Sequence, residues 1–505
     1  MFNFLSGWIA RTRIESSWRM WWLMRLCAVS MNEQVSKRCV IWFRRDLRLM
    51  DQAAVAAAVA EGYELVPVFL WETGQAWEMG AAQQWWLHHA LDELSQMVES
   101  LGGKLHLAHA HKASQATIIS LLKASGADAI YWGRRYAPQE VAHDAALKQA
   151  LQSEGFEVKS FNTMLLHEPM QMFNKSGNPY QVFTPYYKNC LNYEVAACHA
   201  LELATSRWAS VDWGVSLECL SLIPEIPWYG GFESKWCPRR DAALVMLEQW
   251  AGGAVDRYDA SRNMMASEVT SRLSPYLAFG QLSPREIWHA CAANGAPYQR
   301  QLVWREFSYY LMYHFPHSVD QSLKLEWQLF PWQRDTETVE RWQQGKTGIP
   351  VVDAAMRQLW QTGWMHNRAR MVVASVLVKY LQQDWMLGAQ WFWDTLLDAD
   401  LANNSMGWQW SAGCGADAAP YFRVMNPVLQ SQKFDPTGEY IRRFVPELTE
   451  VPDKYIHAPW EMPELLATQY LKPNSIYLHP IVEPKEGRQR ALEALEKFKQ
   501  AKEAQ

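Results

Sequence analysis

The stretch "RCVIWF" (38–43) is a short apolar run of β-branched and aromatic side chains, a composition typical of a buried strand. Four similar runs follow: "YELVPVFLW" (63–71), "KLHLAHA" (104–110), "ADAIYWG" (127–133) and "FEVKSF" (156–161). Stretches rich in alanine and leucine separate most of them, and one, "QQWWLHHALDELSQMVESLGG", ends in glycines that fit a helix C-cap. Strands and helices that alternate in this way predict an α/β domain over 38–165, with a doubly wound, parallel five-stranded sheet.

The pattern changes after about residue 165. The segment 166–235 is irregular, with five prolines and a glycine pair, which predicts an interdomain connector. From "CPRRDAALVMLEQWAGG" onward, apolar residues recur every three or four positions, which predicts an all-α domain over 236–484. The charged tail, 485–505, is interpreted as a solvated helix. A chain of 505 residues exceeds the usual size of a single core, in agreement with two domains.

The first 37 residues form an extension ahead of the first strand. Residues 1–30 contain four arginines against one acid, Glu15, and no apolar run that approaches the length of a membrane span. An arginine-rich, acid-poor segment fits a transit peptide. The alternative, which we favour, is a start codon assigned too early, because Met31 begins a polar segment that leads directly into the first strand.

Composition limits the classes of function. The net charge of −5 argues against a general nucleic-acid binder, so any DNA site must be a local basic patch. The eight cysteines form no Cys-x-x-Cys pair and no metal-like spacing with histidine, which predicts reduced thiols, no metal site and a cytoplasmic protein. The 28 tryptophans exceed what a core needs, so we expect some of them to stack on a ligand or to take part in chemistry.

Carboxylates, amides and indoles are concentrated in "DADLANNSMGWQWSAGCGADAAPYF" (398–422). Its "GCGADA" matches a loose dinucleotide-binding pattern, but it follows a helical segment rather than a strand, so we reject that assignment. Within "GWMHNRARM", the side chains of Asn367, Arg370 and Met371 share one helix face. The apolar sequence that follows this motif indicates that Arg370 is buried, and a buried arginine needs an anionic partner. Asp398 and Asp400 are the candidate partners.

Two further stretches are suited to ligand binding. "VTSRLSPYLAFGQLSPREIW" (269–288) places four donors ahead of an apolar helix, where they fit either an N-cap or a phosphate site. These donors belong to Thr270, Ser271, Arg272 and Ser274. "QLVWREF" places Gln301 and Trp304 on one helical face, and Trp304 with Trp410 would form a stacking wall for a flat aromatic ligand.

Taken together, these motifs resemble the photolyase/cryptochrome family, and within it the cyclobutane pyrimidine dimer photolyases. The similarity covers roughly 38–460. It runs through "CVIWFRRDLRL" (39–49), "YWGRRYAP" (131–138), "TSRLSPYLAFGQLSPREIW", "WREF", "GKTGIPVVDAAMRQLWQTGWMHNRARM", "DADLANNSMGWQW", "DAAPYFRVMNP" (417–427) and "KFDPTGEYIRRFVPEL" (433–448). The resemblance implies an N-terminal α/β antenna domain and an all-α C-terminal domain that binds FAD.

The resemblance also implies which residues bind FAD. On the phosphate side they are Tyr258, Thr270, Ser271, Arg272, Leu273 and Ser274, with Arg305 nearby. Around the isoalloxazine and adenine they are Trp364, Asn367, Arg370, Asp398, Asp400 and Asn404. By the same resemblance Asp398 pairs with Arg370, Asp400 lies at the polar edge of the ring, and the neutral amide of Asn404 faces the flavin N5. The family's electron-conducting tryptophan triad is matched by Trp408, Trp385 and Trp332.

The implied activity is light-driven repair of UV-damaged DNA, single- or double-stranded. A pyrimidine dimer is flipped out of the helix and held between Trp304 and Trp410. It accepts an electron from excited, reduced FAD, its cyclobutane ring opens, and the electron returns. The remaining substrate contacts are Arg262, Gln301, Asn367, Arg368 and Met371. We expect the protein to act as a monomer and to have no membrane partner.

Some residues depart from the usual pattern and leave alternatives open. Gln301 stands where many bacterial dimer photolyases have glutamate, and in this it resembles the (6-4) photolyases. Those enzymes, however, place proton-transferring histidines where this chain has Asn367 and Met371, so dimer repair is favoured. The alternative from another class is a cryptochrome, a blue-light receptor. Asn404 argues against it, because such receptors tend to have aspartate or cysteine at that place.

The resemblance implies a second, antenna chromophore without fixing its identity. Gly133 and the run "LMDQAAV" both depart from the usual pattern of the antenna domain. Methenyltetrahydrofolate is the favoured chromophore, and a deazaflavin or an empty site are the alternatives. Tyr298 and Met406 replace a tryptophan and a small residue near the FAD, and we expect both changes to tune cofactor affinity.

Overall fold

The structure is a computed structural model that describes residues 37–111, 115–267, 269–293, 295–417 and 422–504. The two interpretations of residues 1–30, a transit peptide or an early start, therefore lie outside the described residues. Among the helices that are described, none is both long and apolar enough to cross a membrane.

Five parallel strands form the predicted sheet. They are β1 Arg38–Phe43, β2 Glu64–Thr73, β3 His106–His111, β4 Ala129–Gly133 and β5 Glu157–Phe161, in the order β3-β2-β1-β4-β5. The helices between them are α1 Ala53–Ala60, α2 Ala81–Ser100, α3 Gln115–Ser125 and α4 Pro138–Ser153. The prediction of a doubly wound, parallel five-stranded sheet is thus confirmed. The strand order reverses between β1 and β4, and ligands of such sheets bind at the carboxyl ends of the strands there.

Both faces of the sheet are buried, as the continuous apolar runs predict. Alternate residues of β1 point to opposite faces, so Val40 and Trp42 pack in one core while Ile41 and Phe43 pack in another. The second core continues without a break into helical residues such as Leu302. The α/β part and the helical part therefore share apolar packing on this face of the sheet.

The segment 166–235 is irregular apart from α5, Phe183–Cys190, and three short 3₁₀ turns, as its prolines predict. It is nevertheless bound to the sheet. Leu65 of β2 donates its backbone N–H to Arg207 O at 2.8 Å and accepts from Ala209 N–H at 2.8 Å. Residues 207–209 thus satisfy the part of β2 that β3 does not reach.

The regular secondary structure of the rest of the described chain is helical, as predicted. They are α6 Arg240–Ala251, α7 Tyr258–Ser261, α8 Ser274–Ala278, α9 Pro284–Ala290, α10 Ala296–His314, α11 Thr336–Gln343, α12 Pro350–Thr362, α13 Asn367–Ser375, α14 Trp385–Thr395, α15 Leu401–Ala412, α16 Pro427–Phe434, α17 Glu439–Phe444, α18 Glu464–Tyr470 and α19 Pro484–Glu503. A π-helical turn, Val376–Tyr380, continues α13. The fold class predicted from the sequence, α/β followed by all-α, is confirmed.

The charged tail forms a helix, α19, but it is not simply solvated. Gly487, Ala491, Ala494 and Phe498 are buried along one of its faces. The Phe498 ring stacks on Trp327 with their centroids 4.6 Å apart. The many charges of the tail obscured this narrow apolar stripe, so the interpretation as a solvated helix was wrong for that face.

The end of α15 explains the rejected dinucleotide pattern. Gly413 adopts the left-handed conformation, φ 95°, and caps α15, while Cys414 N–H and Gly415 N–H both donate to Gln409 O. The glycines therefore terminate a helix instead of opening one. The buried ammonium group of Lys379, in the π-helical turn, also donates to a carbonyl of this helix end, that of Ala412.

Candidate active site

An ion pair joins α13 to the turn before α15. The Arg370 guanidinium donates through Nη2 to Asp398 Oδ2 at 2.8 Å and through Nε to Met365 O at 2.8 Å. Asp398 is 9% exposed, and its other oxygen, Oδ1, is buried with no hydrogen-bond partner among the described residues. An unpaired buried acceptor of this kind costs about 1–3 kcal/mol, so it marks a place where a ligand donor fits.

Asp400 has a different environment from Asp398. It is the N-cap of α15, where Oδ1 accepts from Asn403 N–H at 2.9 Å and Oδ2 accepts from the Tyr309 hydroxyl. Both oxygens therefore have protein partners, and the residue lines a cavity between the α/β and helical parts. Of the two acids considered for Arg370, the structure pairs only Asp398 with it. The place of Asp400 at the flavin edge stays a prediction.

Asn404 lies one turn further along α15. Its amide Nδ2 donates to Ala389 O of α14 at 2.8 Å, which orients the side-chain amide. Asn367 is the first residue of α13 and is exposed, and Met371 follows it one turn later on the same helix. Trp364, just before α13, is half-buried and lies edge-on to His366 at 6.3 Å.

The predicted phosphate-binding turn precedes α8. Arg272 is in the left-handed region, φ 53°, a backbone conformation that is strained for a residue with a side chain. Its guanidinium lies over the rings of Trp236, at 4.6 Å, and Trp364, at 5.3 Å. Leu273 is buried, and Ser274 begins the helix.

Two tyrosines pack beside this turn. The Ser271 hydroxyl is hydrogen-bonded to the Tyr298 hydroxyl at 2.7 Å, and the Tyr258 ring meets that of Tyr298 edge-on at 5.3 Å. Burial raises the pKa of Tyr298 above its ordinary value, so it remains a neutral hydroxyl. Thr270 is half-buried at the start of the turn. The structure thus brings the residues 270–274 together with Tyr258.

Arg305 has partners away from this turn. Its Nη1 donates to Met164 O at 2.8 Å, and its guanidinium lies over the Tyr309 ring at 4.9 Å. Met164 belongs to the segment that follows β5. The bond to Met164 therefore links α10 to the α/β side. The other hydrogen bond found for Arg305 goes to Glu306 of the same helix, and none joins it to the described residues of the turn before α8.

Trp304 is covered on one ring face. Phe183 of α5 stacks on it with an interplanar angle of 7° and a centroid distance of 3.5 Å. Trp304 is half-buried, so part of its indole stays accessible to a flat ligand. Gln301, one turn earlier on α10, donates to Pro297 O at 3.4 Å. The sequence did not indicate Phe183, because the irregular segment around it has no apolar period.

Trp410 and three arginines lie near one another on the helical part. Arg423 lies over the Trp410 ring at 5.8 Å. Arg368 donates to Asn263 Oδ1 at 2.6 Å, and its pKa is lowered by burial and by the charges of Arg262 and Arg423. These three cations form a local basic patch on a protein of net charge −5.

The three tryptophans of the predicted triad lie on neighbouring segments. Trp408 of α15 is 2% exposed, and its ring meets Phe392 of α14 edge-on at 5.0 Å. Trp385 is buried at the first position of α14. Trp332 is half-buried, and the residue after it is held to the start of α14 by two backbone bonds, Gln333 N–H to Gln382 O at 2.9 Å and Asp384 N–H to Gln333 O at 3.0 Å.

A large cavity lies at the carboxyl edge of the sheet, between the α/β and helical parts. Its volume is about 250 Å³. Arg44 and Arg135, which follow β1 and β4, line the cavity at the point where the strand order reverses. The aromatic rings of Trp71 and Trp77 form another part of its lining. Glu72 is ion-paired with Arg135, and its Oε1 is buried without a partner among the described residues. Of the residues that line this cavity, the sequence indicated only Asp400 as a ligand, because the lining comes from many separate segments of the chain.

Comparison with known proteins places these features in a family. Residues 39–203 match the family model described as DNA photolyase, and residues 298–497 match the FAD binding domain of DNA photolyase. The chain is 43% identical over 467 residues to a deoxyribodipyrimidine photo-lyase of Agrobacterium fabrum, covering 90% of this chain and 97% of that protein. It is 35% identical to cryptochrome-2 of Arabidopsis thaliana, covering 93% and 80%.

A solved structure is similar over nearly the whole chain. The crystal structure of a bacterial class III photolyase from Agrobacterium tumefaciens superposes with a TM-score of 0.89 at 40% identity, covering 93% of this chain and all of that one. The similarity therefore extends through both the sheet and the helices that form the candidate site. This chain belongs to the DNA photolyase family.

Proposed function

We propose that this protein is a deoxyribodipyrimidine photo-lyase, a light-driven enzyme that uses FAD to split cyclobutane pyrimidine dimers in UV-damaged DNA. The observation that supports it best is the composition of α15. This helix contains Asn404, Trp408 and Trp410 in two turns, and it begins beside the Arg370–Asp398 pair. The relatives named photo-lyases support the same activity.

The FAD site is formed by α13, α15 and the turn before α8. A donor N–H of the flavin ring would satisfy the unpaired Asp398 Oδ1, while Arg370 stays in place through its bond to Met365 O. Asn404 would present a neutral amide to the ring, fixed by its bond to Ala389 O. When bound, FAD supplies the electron that light makes available to the substrate. The hydroxyls and Arg272 of the turn before α8 would hold the phosphates.

The substrate site lies between Trp304 and Trp410. A flipped dimer would stack on these indoles, which contributes about 1–3 kcal/mol per base and offsets the cost of unstacking. Phe183 holds the Trp304 ring from behind. Contacts to the bases or phosphates would come from Arg262, Gln301, Asn367, Arg368 and Met371. Methionine and asparagine cannot transfer a proton as imidazole does, which favours the dimer over the (6-4) product.

The tryptophan relay would keep the flavin reduced. An electron from an external thiol passes to Trp332, the half-buried member, and replaces the electron that Trp332 gives to Trp385. Trp385 would in turn pass an electron to Trp408, and Trp408 would be the member of the relay that supplies it to the bound cofactor. The electron comes from the thiol, which is oxidised, and each indole would return to its starting state.

The cavity at the carboxyl edge of the sheet would hold the antenna, for which we propose methenyltetrahydrofolate. The N–H donors of a pterin ring suit the unpaired Glu72 Oε1, and the walls of Trp71 and Trp77 suit its flat face. The carboxylates of the folate tail suit Arg45. A deazaflavin is the alternative, and mass spectrometry of the chromophore released from the purified protein separates the two. Glu72→Gln, which keeps the volume, should lower the folate content.

The proposed activity is tested with two oligonucleotides. One contains a cyclobutane thymine dimer and the other a (6-4) product. We expect chemically reduced protein to repair only the first, under blue light and not in darkness. Repair of the (6-4) product would show that another group supplies the proton. No repair of either, with FAD bound and photoreducible, would favour a receptor related to the cryptochromes. The same preparation tests the proposed monomer by light scattering.

A further inference from the structure

Gly388 lies in the middle of α14, where it is not needed for a turn or a positive φ. Glycine in a helix costs backbone entropy relative to alanine, so such a position invites a structural explanation. A Cβ built at 388 would overlap the Cη2, Cζ3 and Cζ2 atoms of the Trp408 indole, the last at 2.6 Å. The indole of Trp408 therefore lies directly on the backbone of α14.

We infer that Gly388 is a positioning residue for the tryptophan relay, because its missing side chain admits the first indole, Trp408, against the helix that contains the second, Trp385. This inference rests on the proposed relay. Trp385 and Gly388 are three residues apart, so they share one face of α14. The benzo ring of Trp408 is thereby held over the helix face to which Trp385 belongs.

Trp408 has little room to move away from an added methyl group. It is 2% exposed, and it meets Phe392 and Trp342 edge-on at 5.0 and 6.0 Å. Both of these rings are themselves buried. A methyl group at 388 must therefore change the tilt or position of the indole, or separate α14 from α15.

The neighbouring residue of α14 makes a separate contact with α15. Ala389 O accepts the hydrogen bond from Asn404, one turn before Trp408 on α15. Two adjacent residues of α14 thus fix two groups with different proposed roles, the amide at the flavin and the first indole of the relay. Because the bond to Ala389 uses only a backbone oxygen, substitution of Gly388 removes neither the donor nor the acceptor of this bond.

Gly388→Ala tests the inference through two readouts on the FAD-loaded protein. We expect a loss of most of the rate of flavin photoreduction under blue light with a thiol reductant. Repair of a cyclobutane thymine dimer by the same variant, reduced beforehand with dithionite, should keep its wild-type rate, because this assay bypasses the relay. A residue that only stabilised the fold would lower both activities or neither. Gln390→Ala, which adds an alanine at an exposed position of the same helix, should change neither.

A second variant keeps the test decisive if Gly388→Ala folds poorly. Trp408→Phe removes the atoms that a methyl group at 388 would overlap, so adding Gly388→Ala to it should cost no Tm, whereas in the wild type it lowers the Tm. An equal loss of Tm in both backgrounds would overturn the inference, as would wild-type photoreduction by Gly388→Ala. Wild-type photoreduction by Trp408→Phe alone would instead refute the relay.

Discussion

Trp304 and Trp408 are both proposed functional indoles, yet their surroundings differ. Trp304 is half-buried and stacked face to face on Phe183, so part of its indole is available to a ligand. Trp408 is enclosed, with ring edges against Phe392 and Trp342 and the α14 backbone beneath it. The accessibility of the ring therefore distinguishes the two roles. A partly exposed indole can bind a base, whereas an enclosed indole can only exchange an electron.

Trp385→Phe should give the largest effect, and it should affect photoreduction of the flavin but not dimer repair. Removing the middle indole interrupts the relay, so we expect flavin photoreduction under blue light to be nearly abolished. Dimer repair by dithionite-reduced protein should be unchanged, since the substrate wall is untouched. Trp360→Phe, at an exposed indole of α12, is the matched control. Absorbance of the flavin and repair of an oligonucleotide measure the two activities, and a parallel loss of both would contradict the division.

Trp304→Ala should give the opposite pattern. The loss of one stacking platform, worth about 1–3 kcal/mol per base, should weaken binding of dimer-containing DNA by about 5- to 150-fold. Photoreduction should keep its wild-type rate. Fluorescence anisotropy with a labelled oligonucleotide measures the affinity, and Trp304→Phe, which keeps a ring in place, should lose less. Wild-type affinity in the alanine variant would show that the exposed part of Trp304 does not bind the dimer.

Arg368→Gln tests whether electrostatic contacts to the DNA backbone contribute to substrate binding. If Arg368 contacts a phosphate, its loss should reduce the slope of log K against log salt by about 0.9 for duplex DNA. Affinities measured at several salt concentrations give this slope. Lys472→Gln, at an exposed residue between α18 and α19, serves as a control for the loss of one positive charge. A uniform loss of affinity with an unchanged slope would mean that Arg368 acts on the bases or on Asn263 instead.

Phe183→Leu should have a smaller effect, because it removes only the support behind Trp304. An aromatic pair is worth about 0.5–1.5 kcal/mol beyond its buried area, so we expect a two- to twelvefold weaker affinity for dimer DNA. Phe183→Tyr should restore most of it. Photoreduction and the flavin spectrum should stay unchanged, which separates this effect from a general loss of structure. Equal affinities of the leucine and tyrosine variants would show that the stacking itself is unimportant.

The sequence predicted most of the fold because its signals are local. Apolar runs gave the five strands, and the three- and four-residue period gave the helical part. The face of α19 around Phe498 was not predicted, since few apolar residues lie among many charges there. The binding of residues 207–209 to β2 was not predicted either, because it depends on where β3 begins.

Candidate site residues were predictable where neighbours in sequence share a helix, as in α13 and α15. Contacts between distant segments were not. Phe183 stacks on Trp304 across 121 residues of chain, and the overlap of Gly388 with Trp408 depends on how closely two helices approach. Arg305 was expected near the turn before α8, but a motif does not specify the direction of a long side chain, and its hydrogen bonds go to Met164 and Glu306.

The smallest expected effect concerns pH and the imidazole that lies nearest the ion pair. Burial, with the charges of Arg370 and Arg368, lowers the pKa of His366 to about 4, so this ring is neutral throughout the physiological range. None of the steps proposed for repair requires a side chain that changes its protonation state. We therefore expect the repair rate of dithionite-reduced protein to be constant between about pH 6 and 8. A bell-shaped profile would indicate that a group on the substrate side of the site donates a proton.

Stability, unlike repair, should depend on this histidine in acid. Its folded pKa lies below the ordinary value of about 6.5, so the folded state binds fewer protons and the free energy of unfolding falls as pH drops from about 6.5 towards 4. His366 is the N-cap of α13, accepting from Arg368 N–H at 3.1 Å, and asparagine can replace it as an acceptor. His366→Asn should therefore reduce the loss of Tm between pH 7 and 5 while leaving photoreduction and dimer binding as they are. An unchanged acid sensitivity in this variant would assign the effect to other groups.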